Sequence, residues 1–372
     1  MNARTVRRSF WAVAAFYFLI AFEFFYMATP FAVYFYSAYG PGLRFLSENP
    51  ILARLSGSFL PHVVAETKWQ ILNLHNLVGA ALFLLGSAAF LVGAGQVYYY
   101  KLTRRVAVTG GLYNWIRHPQ YAALAVAGFG LLLLWPRYLV LLIYVAILMA
   151  YYFLAKIEER ECERKFGSMY SEYVQSTGMF LPLRISLTEK LPPLPRGGIR
   201  RYLMIAGFYL LSAFVAFLIA AGLQNWTLNS LFALYTENAA YVSVVRLDES
   251  SIRQIIRIAE EGRPVTEMHR AWKEINYILP VEWYISEIPM HKVAGRHAHL
   301  HPGGHDATRF KIVYTRAILP EGREAEGKDI LRLAVGRVPI LEVWVDRASG
   351  TVTDIKDPPK MIPYEGIPVP LY

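Results

Sequence analysis

Cysteine and charge are both scarce in this sequence. Its 372 residues include one cysteine, Cys162, which excludes a disulfide-stapled scaffold, a zinc-finger array and an iron–sulfur centre held by cysteines. Charged residues make up 18% of the chain, against roughly 25% in soluble domains. Hydrophobic residues reach 55%, and the mean hydropathy is +0.29. This composition excludes an ordinary soluble protein and indicates a membrane protein.

The excess of positive charge lies in the first part of the chain. Residues 1–225 contain 20 Lys and Arg against 9 Asp and Glu, whereas residues 226–372 contain 18 against 19. The cations of the first part flank apolar runs, where they favour the cytoplasmic side of a membrane. A nucleic-acid-binding protein would instead carry a basic patch on a soluble face. We therefore expect no nucleic-acid partner and interpret the charge as a topology signal.

Apolar runs predict about five transmembrane helices. A helix needs about 20 residues to cross a hydrocarbon core of ~30 Å. The runs lie near residues 9–36, 71–97, 121–135, 138–155 and 202–223. Lys and Arg are concentrated in alternate loops, which predicts a cytoplasmic amino terminus and an outer location for residues 226–372. We expect a multi-pass protein of the plasma (inner) membrane, with a C-terminal domain that is periplasmic or extracellular.

The chain is predicted to have three parts, and its fold class is an α-helical polytopic membrane protein with a C-terminal α+β extramembrane domain. Residues 1–198 form a four-span membrane domain that ends in a Pro- and Gly-rich linker at 191–198, and residues 199–225 form the fifth transmembrane helix. Residues 226–372 form the α+β domain, in which an amphipathic pattern predicts a helix at Asp248–Gly262. Alternating patterns predict strands near residues 281–288, 310–319, 330–335, 340–345 and 351–355.

Two polar stretches, Gly110–Tyr121 and Lys156–Tyr173, flank the third and fourth apolar runs. Pro136 and Arg137 separate these two runs, so a tight helical hairpin would return both stretches to the same, cytosolic face of the membrane. Together the stretches supply a histidine, an arginine, aromatic faces and paired carboxylates. That set suits a cationic cofactor that carries a nucleobase.

The same residues also have a purely structural interpretation. Pro119 suits the first turn of a helix, because its missing N–H would have no partner there. Arg117 and His118 would then anchor the chain at the membrane interface. Glu158 and Glu159 would lie on a solvated helix face beside basic neighbours. The residue types alone leave both interpretations open.

The order and spacing of these elements carry more information than the residue types. Gly-x-Tyr and Arg-His-Pro-x-Tyr precede the hairpin, and Glu-Glu, Phe-Gly-x-x-Tyr-x-x-Tyr and Leu-Pro follow it. In this chain they are Gly111–Tyr113, Arg117–Tyr121, Glu158–Glu159, Phe166–Gly167, Tyr170, Tyr173 and Leu181–Pro182. Over about residues 70–185 this pattern resembles the family of isoprenylcysteine carboxyl methyltransferases and phospholipid methyltransferases.

The resemblance implies S-adenosylmethionine bound on the cytosolic side and a methyl acceptor that arrives from the bilayer. It assigns cofactor binding to Tyr113, His118, Pro119, Tyr121, Glu158 and Glu159. It assigns catalytic roles to Arg117, which would orient the acceptor, and to Glu159. The implied reaction is an in-line displacement at a methyl sulfonium, which depends on alignment more than on acid–base chemistry. Whether the acceptor is a carboxyl or an amine group stays open.

A histidine-rich segment in the predicted outer domain is a candidate metal site. Alternating histidines share one face of an extended chain, and imidazoles bind Zn or Cu. The candidate ligands are His297, His299, His301 and His305, which Glu267 and His269 could complete. The alternative is an exposed polar loop. Glu23, a carboxylate within the first apolar run, is either a functional group or a side chain that snorkels to the interface.

Two functions are consistent with these patterns. The first, which we prefer, is an integral membrane S-adenosylmethionine-dependent methyltransferase that acts on a lipid or lipid-anchored acceptor. The second is a non-catalytic, methyltransferase-like accessory subunit of a larger membrane complex, whose His-rich outer domain docks other subunits or a metal. The intact Arg-His-Pro-x-Tyr and Glu-Glu elements favour the enzyme. The long extra domain favours the accessory subunit, as does Ala123, where the family usually has glycine.

Overall fold

A computed structural model describes residues 41–49, 52–103, 108–182, 198–262, 272–285, 288–291, 308–359 and 371–372. These residues belong to two compact units. The helical unit comprises Val78–Leu134 and Val140–Val215, and the sheet unit comprises Ala38–Leu77, Trp135–Leu139 and Ala216–Tyr372. Several predictions fall outside the described residues: the first apolar run with Glu23, the linker at 191–197, Glu267, His269 and the candidate ligands His297, His299, His301 and His305.

Long apolar helices follow three short ones, α1 (Pro41–Glu48), α2 (Ala53–Ser56) and α3 (Gln70–Asn73). Three of the described helices are long and apolar enough to cross a membrane: α4 (His75–Thr103), α6 (Tyr138–Phe166) and α8 (Ile199–Ser230). Helix α5 (Pro119–Leu134) is apolar but has 16 residues. Its length of about 24 Å is less than the ~30 Å of a hydrocarbon core. The five-span arrangement and the cytoplasmic amino terminus therefore remain predictions.

Small residues let α4 and α5 approach closely. A Cβ atom on Gly86 of α4 would lie 2.5 Å from the backbone nitrogen of Ala127, and one on Gly130 of α5 would lie 2.5 Å from that of Phe83. Lipid gives apolar helices no hydrophobic reason to associate, so close van der Waals packing of this kind stabilises a membrane bundle. Ala123 lies in the same contact, since its carbonyl oxygen faces Gly86.

Helices α5 and α6 run antiparallel within the helical unit. The Tyr144 hydroxyl of α6 donates to the carbonyl of Ala125 at 2.9 Å, and the ring of Tyr151, two turns later, stacks on Tyr121 with centroids 5.1 Å apart. Residues later in α6 thus contact residues earlier in α5, as the predicted hairpin requires. The last turns of α6 are charged, and Gly167, at a φ of +58°, joins them to α7 (Ser168–Ser176).

The sheet unit contains a six-stranded sheet in the order β1 to β6. Its strands are β1 (Ala233–Tyr235), β2 (Ala239–Ser243), β3 (Glu274–Pro280), β4 (Arg309–Ile318), β5 (Gly336–Asp346) and β6 (Thr351–Lys356). Neighbours are antiparallel except β2 and β3, which pair in parallel across a connection that holds α9 (Glu249–Gly262). The apolar face of α9, including Ile252, Ile255 and Ala259, is buried in the core. An α-helical membrane part with a C-terminal sheet domain is thus confirmed.

Two predicted strands are wrong. Residues 281–285 and 288, the described part of the predicted strand at 281–288, follow β3 rather than form a strand, because the Trp283 N–H donates to the Pro280 carbonyl in a turn that ends the ladder. Their alternating burial arises from irregular packing against the core. Residues 328–333 form α10 (Lys328–Leu333), in which adjacent Ile330 and Leu331 are both buried. An apolar pair next to each other in sequence fits one face of a short helix as well as it fits a strand.

Candidate functional site

The Arg-His-Pro motif is held at the start of α5 by the chain that follows α7. The Arg117 N–H donates to the Gly178 carbonyl at 2.9 Å, and the His118 N–H donates to the Met179 carbonyl at 3.1 Å. Ile116 and Gly178 form an isolated parallel bridge at the same place. These backbone bonds align two segments about 60 residues apart in sequence, so the side chains of 117 and 118 point toward the charged end of α6.

A tight turn before the motif requires glycine. Gly111 begins the 3-10 turn Gly111–Asn114 at a φ of +65°, a left-handed conformation that glycine adopts without steric cost. A Cβ atom there would also lie 2.2 Å from the amide nitrogen of Gln96 on α4. The other amide atom of Gln96, Oε1, accepts a hydrogen bond from the Leu112 N–H at 3.3 Å. The Gly-x-Tyr element is therefore explained by its docking on α4.

Glu159 is the centre of an ion-pair network. Its Oε1 accepts from Arg117 Nε at 2.7 Å, its Oε2 accepts from Lys156 Nζ at 2.9 Å, and His118 Nε2 lies 3.5 Å from Oε1. The Glu159 side chain is only 7% exposed. A buried carboxylate needs such partners, because an unpaired charge there would be strongly destabilising. Both carboxylate oxygens are already occupied by protein cations.

Arg117 connects three elements. Besides Glu159, its Nη1 donates to the carbonyls of Val174 (2.8 Å) and Thr177 at the end of α7. The guanidinium thus joins the start of α5 to α6 and α7. Its Nη2 makes no hydrogen bond to any residue of the described ranges, so this nitrogen is available to a ligand.

Glu158 has a different environment from its neighbour. Its side chain is 42% exposed, its Oε1 accepts from the Tyr121 hydroxyl, and its Oε2 lies 3.5 Å from His118 Nδ1. Burial lowers the pKa of His118, but the hydrogen bonds and negative charges of Glu158 and Glu159 outweigh it, so the pKa is raised overall. The imidazolium form is therefore favoured between the two carboxylates.

Aromatic rings line the site beside Glu158. Tyr121 stacks on Tyr151 at 5.1 Å and on His118 at 5.9 Å, and Phe180 packs against His118 at a tilt. The Tyr151 hydroxyl is buried here with no hydrogen-bond partner among the described residues. Buried polar atoms are normally satisfied, so this hydroxyl points to a ligand or water at this place. The Gln120 amide nitrogen also has no described partner, but its side chain packs against Gly93 of α4.

Two phenols complete the site. The Tyr173 hydroxyl donates to the Tyr113 carbonyl at 2.6 Å, which attaches α7 to the 3-10 turn. Burial raises the pKa of Tyr113, as do the charges of Glu158 and Tyr173. Burial also raises the pKa of Tyr173, to about 12. Both phenols remain protonated at neutral pH, and the Tyr173 hydroxyl acts as a hydrogen-bond donor.

The structure brings the predicted site residues together. They are Tyr113, Arg117, His118, Pro119, Tyr121, Glu158 and Glu159, where Pro119 begins α5. Sequence reasoning missed Gln96, Gln120, Tyr151 and Phe180 as members of the site. Gln96 and Gln120 carried a signal, since each is an amide next to or within an apolar run. No group of three or more His, Cys, Asp or Glu that could hold a metal occurs within the described ranges.

Residues 74–169 match the model of a family described as phospholipid methyltransferase, PEMT. This segment contains α4, α5, α6 and the first residues of α7, and it confirms the resemblance noted from the motifs. No curated protein and no solved structure matches the chain. The six strands of the sheet thus lie outside the matched segment.

Proposed function

We propose, from the phospholipid methyltransferase domain at residues 74–169, that the protein is an integral membrane S-adenosylmethionine-dependent methyltransferase for a lipid or lipid-anchored acceptor. The observation that supports this most is the half-exposed Glu158 carboxylate, which lies beside stacked aromatic rings at the end of an apolar helix. The apolar helices α4, α6 and α8 make the chain an integral membrane protein.

The residues present fit a cofactor of this kind. The Glu158 carboxylate can pair with a cationic ammonium or sulfonium group, and the rings of Tyr121, His118 and Phe180 offer faces to a cation or a nucleobase. The bound cofactor supplies an electrophilic methyl group. We propose Tyr113, Pro119 and the other predicted binding residues as the walls of this site.

Glu159 and Arg117 act differently in this proposal. Because both oxygens of Glu159 are bound to Arg117, Lys156 and His118, Glu159 is a positioning residue that holds the site together. Arg117 keeps one guanidinium nitrogen free of described partners, and with it can orient an anionic group of the acceptor.

Methyl transfer here relies on alignment of the acceptor more than on proton transfer. A carboxylate acceptor needs no base. An amine acceptor must lose a proton first, and Glu158 is the half-exposed carboxylate at the site that can take it. The protonated phenols of Tyr113 and Tyr173 are unsuited to that role.

The sidedness of the protein is part of the proposal. The charge excess of residues 1–225 supports a cytosolic methyl-transfer site in the plasma membrane, with the sheet unit on the outer side. Reporter fusions of alkaline phosphatase and a fluorescent protein to the chain after residue 230 test it. Phosphatase activity with a dark fluorescent fusion is expected, and the opposite pattern contradicts this topology.

Cofactor binding to the purified full chain in a non-ionic detergent tests the proposed activity. We expect calorimetry to detect S-adenosylmethionine binding, weakened about 10- to 100-fold in Glu158→Gln, because a charge-assisted bond is worth about 1.5–3 kcal/mol. Glu172→Gln, an exposed carboxylate on α7, is the matched control and should bind like the wild type.

The same experiment separates the enzyme from the accessory subunit. A folded wild type without detectable cofactor binding would contradict the enzyme and favour a methyltransferase-like scaffold. Transfer of a labelled methyl group into the chloroform-soluble fraction of membranes that contain the protein would establish a lipid acceptor. Label found only in the aqueous or protein fraction would contradict a free lipid as acceptor.

A further inference from the structure

A second candidate site is an open cleft of about 520 Å³ in the sheet unit. It is lined by Lys68, Trp69, Gln70, Ile71, Phe232 and Arg246. Its volume is within the range of small-molecule sites in proteins. The cleft shares no residue with the Glu158 site, and the phospholipid methyltransferase match, residues 74–169, includes none of the residues that line it.

The cleft lies where two apolar helices end. Helix α4 begins a few residues after it, at His75, and α8 ends beside it, because the Lys68 N–H donates to the Ser230 carbonyl at 2.8 Å. The rings of Trp69 and Trp226 lie 6.2 Å apart, and Trp69 is 57% exposed. Exposed tryptophans at the ends of membrane helices are typical of the boundary between hydrocarbon and water.

An apolar strip leads from the cleft onto α4. Ile71 is 66% exposed, and Leu74 and Leu77 are exposed as well. Leu74 directly precedes α4, and Leu77 lies in the first turn of that helix. Exposed aliphatic side chains at this level of a membrane protein contact acyl chains. The cleft therefore has a polar, cationic part next to a surface that faces lipid.

The polar part carries an excess of positive charge. Neither the Lys68 ammonium nor the Arg246 guanidinium forms an ion pair or hydrogen bond with another described side chain. Lys328 and Arg332 of α10 lie close to the same helix end, where they bond the side chains of Asn229 and Asn225 of α8. Burial is the main cause that lowers the pKa of Lys328, and the positive charges of Arg332 and Lys68 lower this pKa further.

Few anionic groups balance these cations. Among the described residues, Asp329 pairs with Arg332 at 3.2 Å, and Glu66 accepts from the backbone N–H of Arg246. The ammonium of Lys68 and the guanidinium of Arg246 keep their charge available at the cleft. An anion with an apolar attachment would satisfy both the charge and the position.

We propose that this cleft binds the phosphate of an anionic membrane phospholipid, with the phosphate between Lys68 and Arg246 and the acyl chains along Ile71, Leu74 and Leu77. Lys and Arg form charge-assisted hydrogen bonds to phosphate oxygens, and tryptophan lies at headgroup level. A headgroup without a cationic amine fits best, because the cleft is already rich in cations. This site binds a lipid as a ligand and not as a methyl acceptor, so it does not depend on the proposed methyltransferase activity.

Binding of short-chain lipids to the full chain in non-ionic detergent tests this proposal. The probes are dihexanoyl phosphatidylglycerol, dihexanoyl phosphatidylcholine and inorganic phosphate. Native mass spectrometry measures how tightly each of them binds. We expect the phosphatidylglycerol to bind most tightly. The double variant Lys68→Ala/Arg246→Ala should weaken it about 25-fold, at about fivefold for each cation removed.

Arg253→Ala/Arg257→Ala is the matched control, since it removes two exposed cations from α9 in the same unit. It should leave binding unchanged. Equal affinities of the two double variants contradict the proposal, and so does phosphatidylcholine that binds as tightly as phosphatidylglycerol. Inorganic phosphate that binds as tightly as the lipid shows a site for free anions and also contradicts it.

A spectroscopic measurement keeps the proposal testable if the alanine variant folds poorly. Phosphatidylglycerol with brominated acyl chains should quench part of the tryptophan fluorescence of the wild type, and Trp69→Phe should lose that part. Lys68→Arg/Arg246→Lys, which keeps both charges, should retain the quenching. Quenching that is identical in wild type and Trp69→Phe places the lipid elsewhere and overturns the assignment.

Discussion

Replacement of Glu159 by glutamine should destabilise the packing of α5, α6 and α7 around this residue by a calculable amount. Glutamine keeps the size of the side chain and one acceptor for Arg117, but it removes the negative charge that holds three basic groups. A hydrogen bond to a charged group is worth about 1.5–3 kcal/mol, and a neutral one about 0.5–1.5 kcal/mol. The Arg117–Glu159 pair is little screened by solvent, since its side chains are 9% and 7% exposed.

The expected cost of Glu159→Gln is therefore about 2 kcal/mol, and that of Glu159→Ala about 3–5 kcal/mol, because alanine leaves a buried guanidinium unpaired. Lys156 adds little to either figure, since its side chain is 37% exposed and exposed pairs contribute at most about 1 kcal/mol. Thermal unfolding of the detergent-solubilised chain, monitored by scanning fluorimetry, measures these losses. Glu159→Ala should be the least stable protein, Glu159→Gln intermediate and the wild type the most stable. Glu163→Gln, an exposed carboxylate on the same helix, is the control.

A double-mutant cycle between Arg117→Gln and Glu159→Gln identifies the pair itself. If the two charges stabilise each other, the double variant loses clearly less than the sum of the single losses, with a coupling of at least about 1 kcal/mol. Additive losses would refute the ion-pair network as the cause. So would a Glu159→Gln protein as stable as the Glu163→Gln control.

Three further predictions concern other positions. Gly111→Ala should destabilise the chain by more than Gly167→Ala. Both positions have a positive φ, but only at 111 would the new Cβ displace the Gln96 amide, which accepts the Leu112 N–H. Thermal unfolding compares the two variants, and equal losses contradict the docking of the turn. The raised pKa of His118 predicts stability that is present below the unfolded pKa of about 6.5 and lost as pH rises through the folded value, a trend that His118→Gln should abolish in the same assay. Burial lowers the pKa of Lys311 to about 8 from 10.5. Between these two pH values the folded state binds fewer protons than the unfolded state, so the free energy of unfolding should rise with pH by up to about 3 kcal/mol. Lys311→Met should show no such rise, and a rise that persists in this variant contradicts the assignment.

Much of the fold could be predicted because it rests on local patterns. The apolar runs behind α4, α6 and α8 are long enough to be recognised by composition, and the face of Ile252, Ile255 and Ala259 identifies α9 by its period. Strands β4, β5 and β6 follow from alternation. The two errors, at 281–288 and 330–335, fell on short apolar segments where helix, strand and irregular packing give the same pattern.

The site was predictable as a set of residues but not as an arrangement. The spacing of Arg117, His118 and the Glu158–Glu159 pair gave the family resemblance, which the match at residues 74–169 confirms. Nothing in that spacing distinguishes the two glutamates. Their side chains diverge on the helix, so the packing of α5 and α7 decides that Glu159 is buried among three basic groups while Glu158 stays half-exposed.

The sequence by itself determined three things: that the chain enters a membrane, in which part of the chain the positive charges are concentrated, and which residues resemble a methyltransferase. Hydropathy, charge and motif spacing are properties of neighbouring residues, so they can be read without the fold. Only the tertiary structure decided the parallel pairing of β2 with β3, the role of Gln96 beneath Gly111 and the cleft that joins Lys68 to Arg246. Each of these contacts links residues separated by 15 or more positions along the chain. Which distant groups meet depends on how helices and strands pack, and a periodic pattern carries no record of that choice.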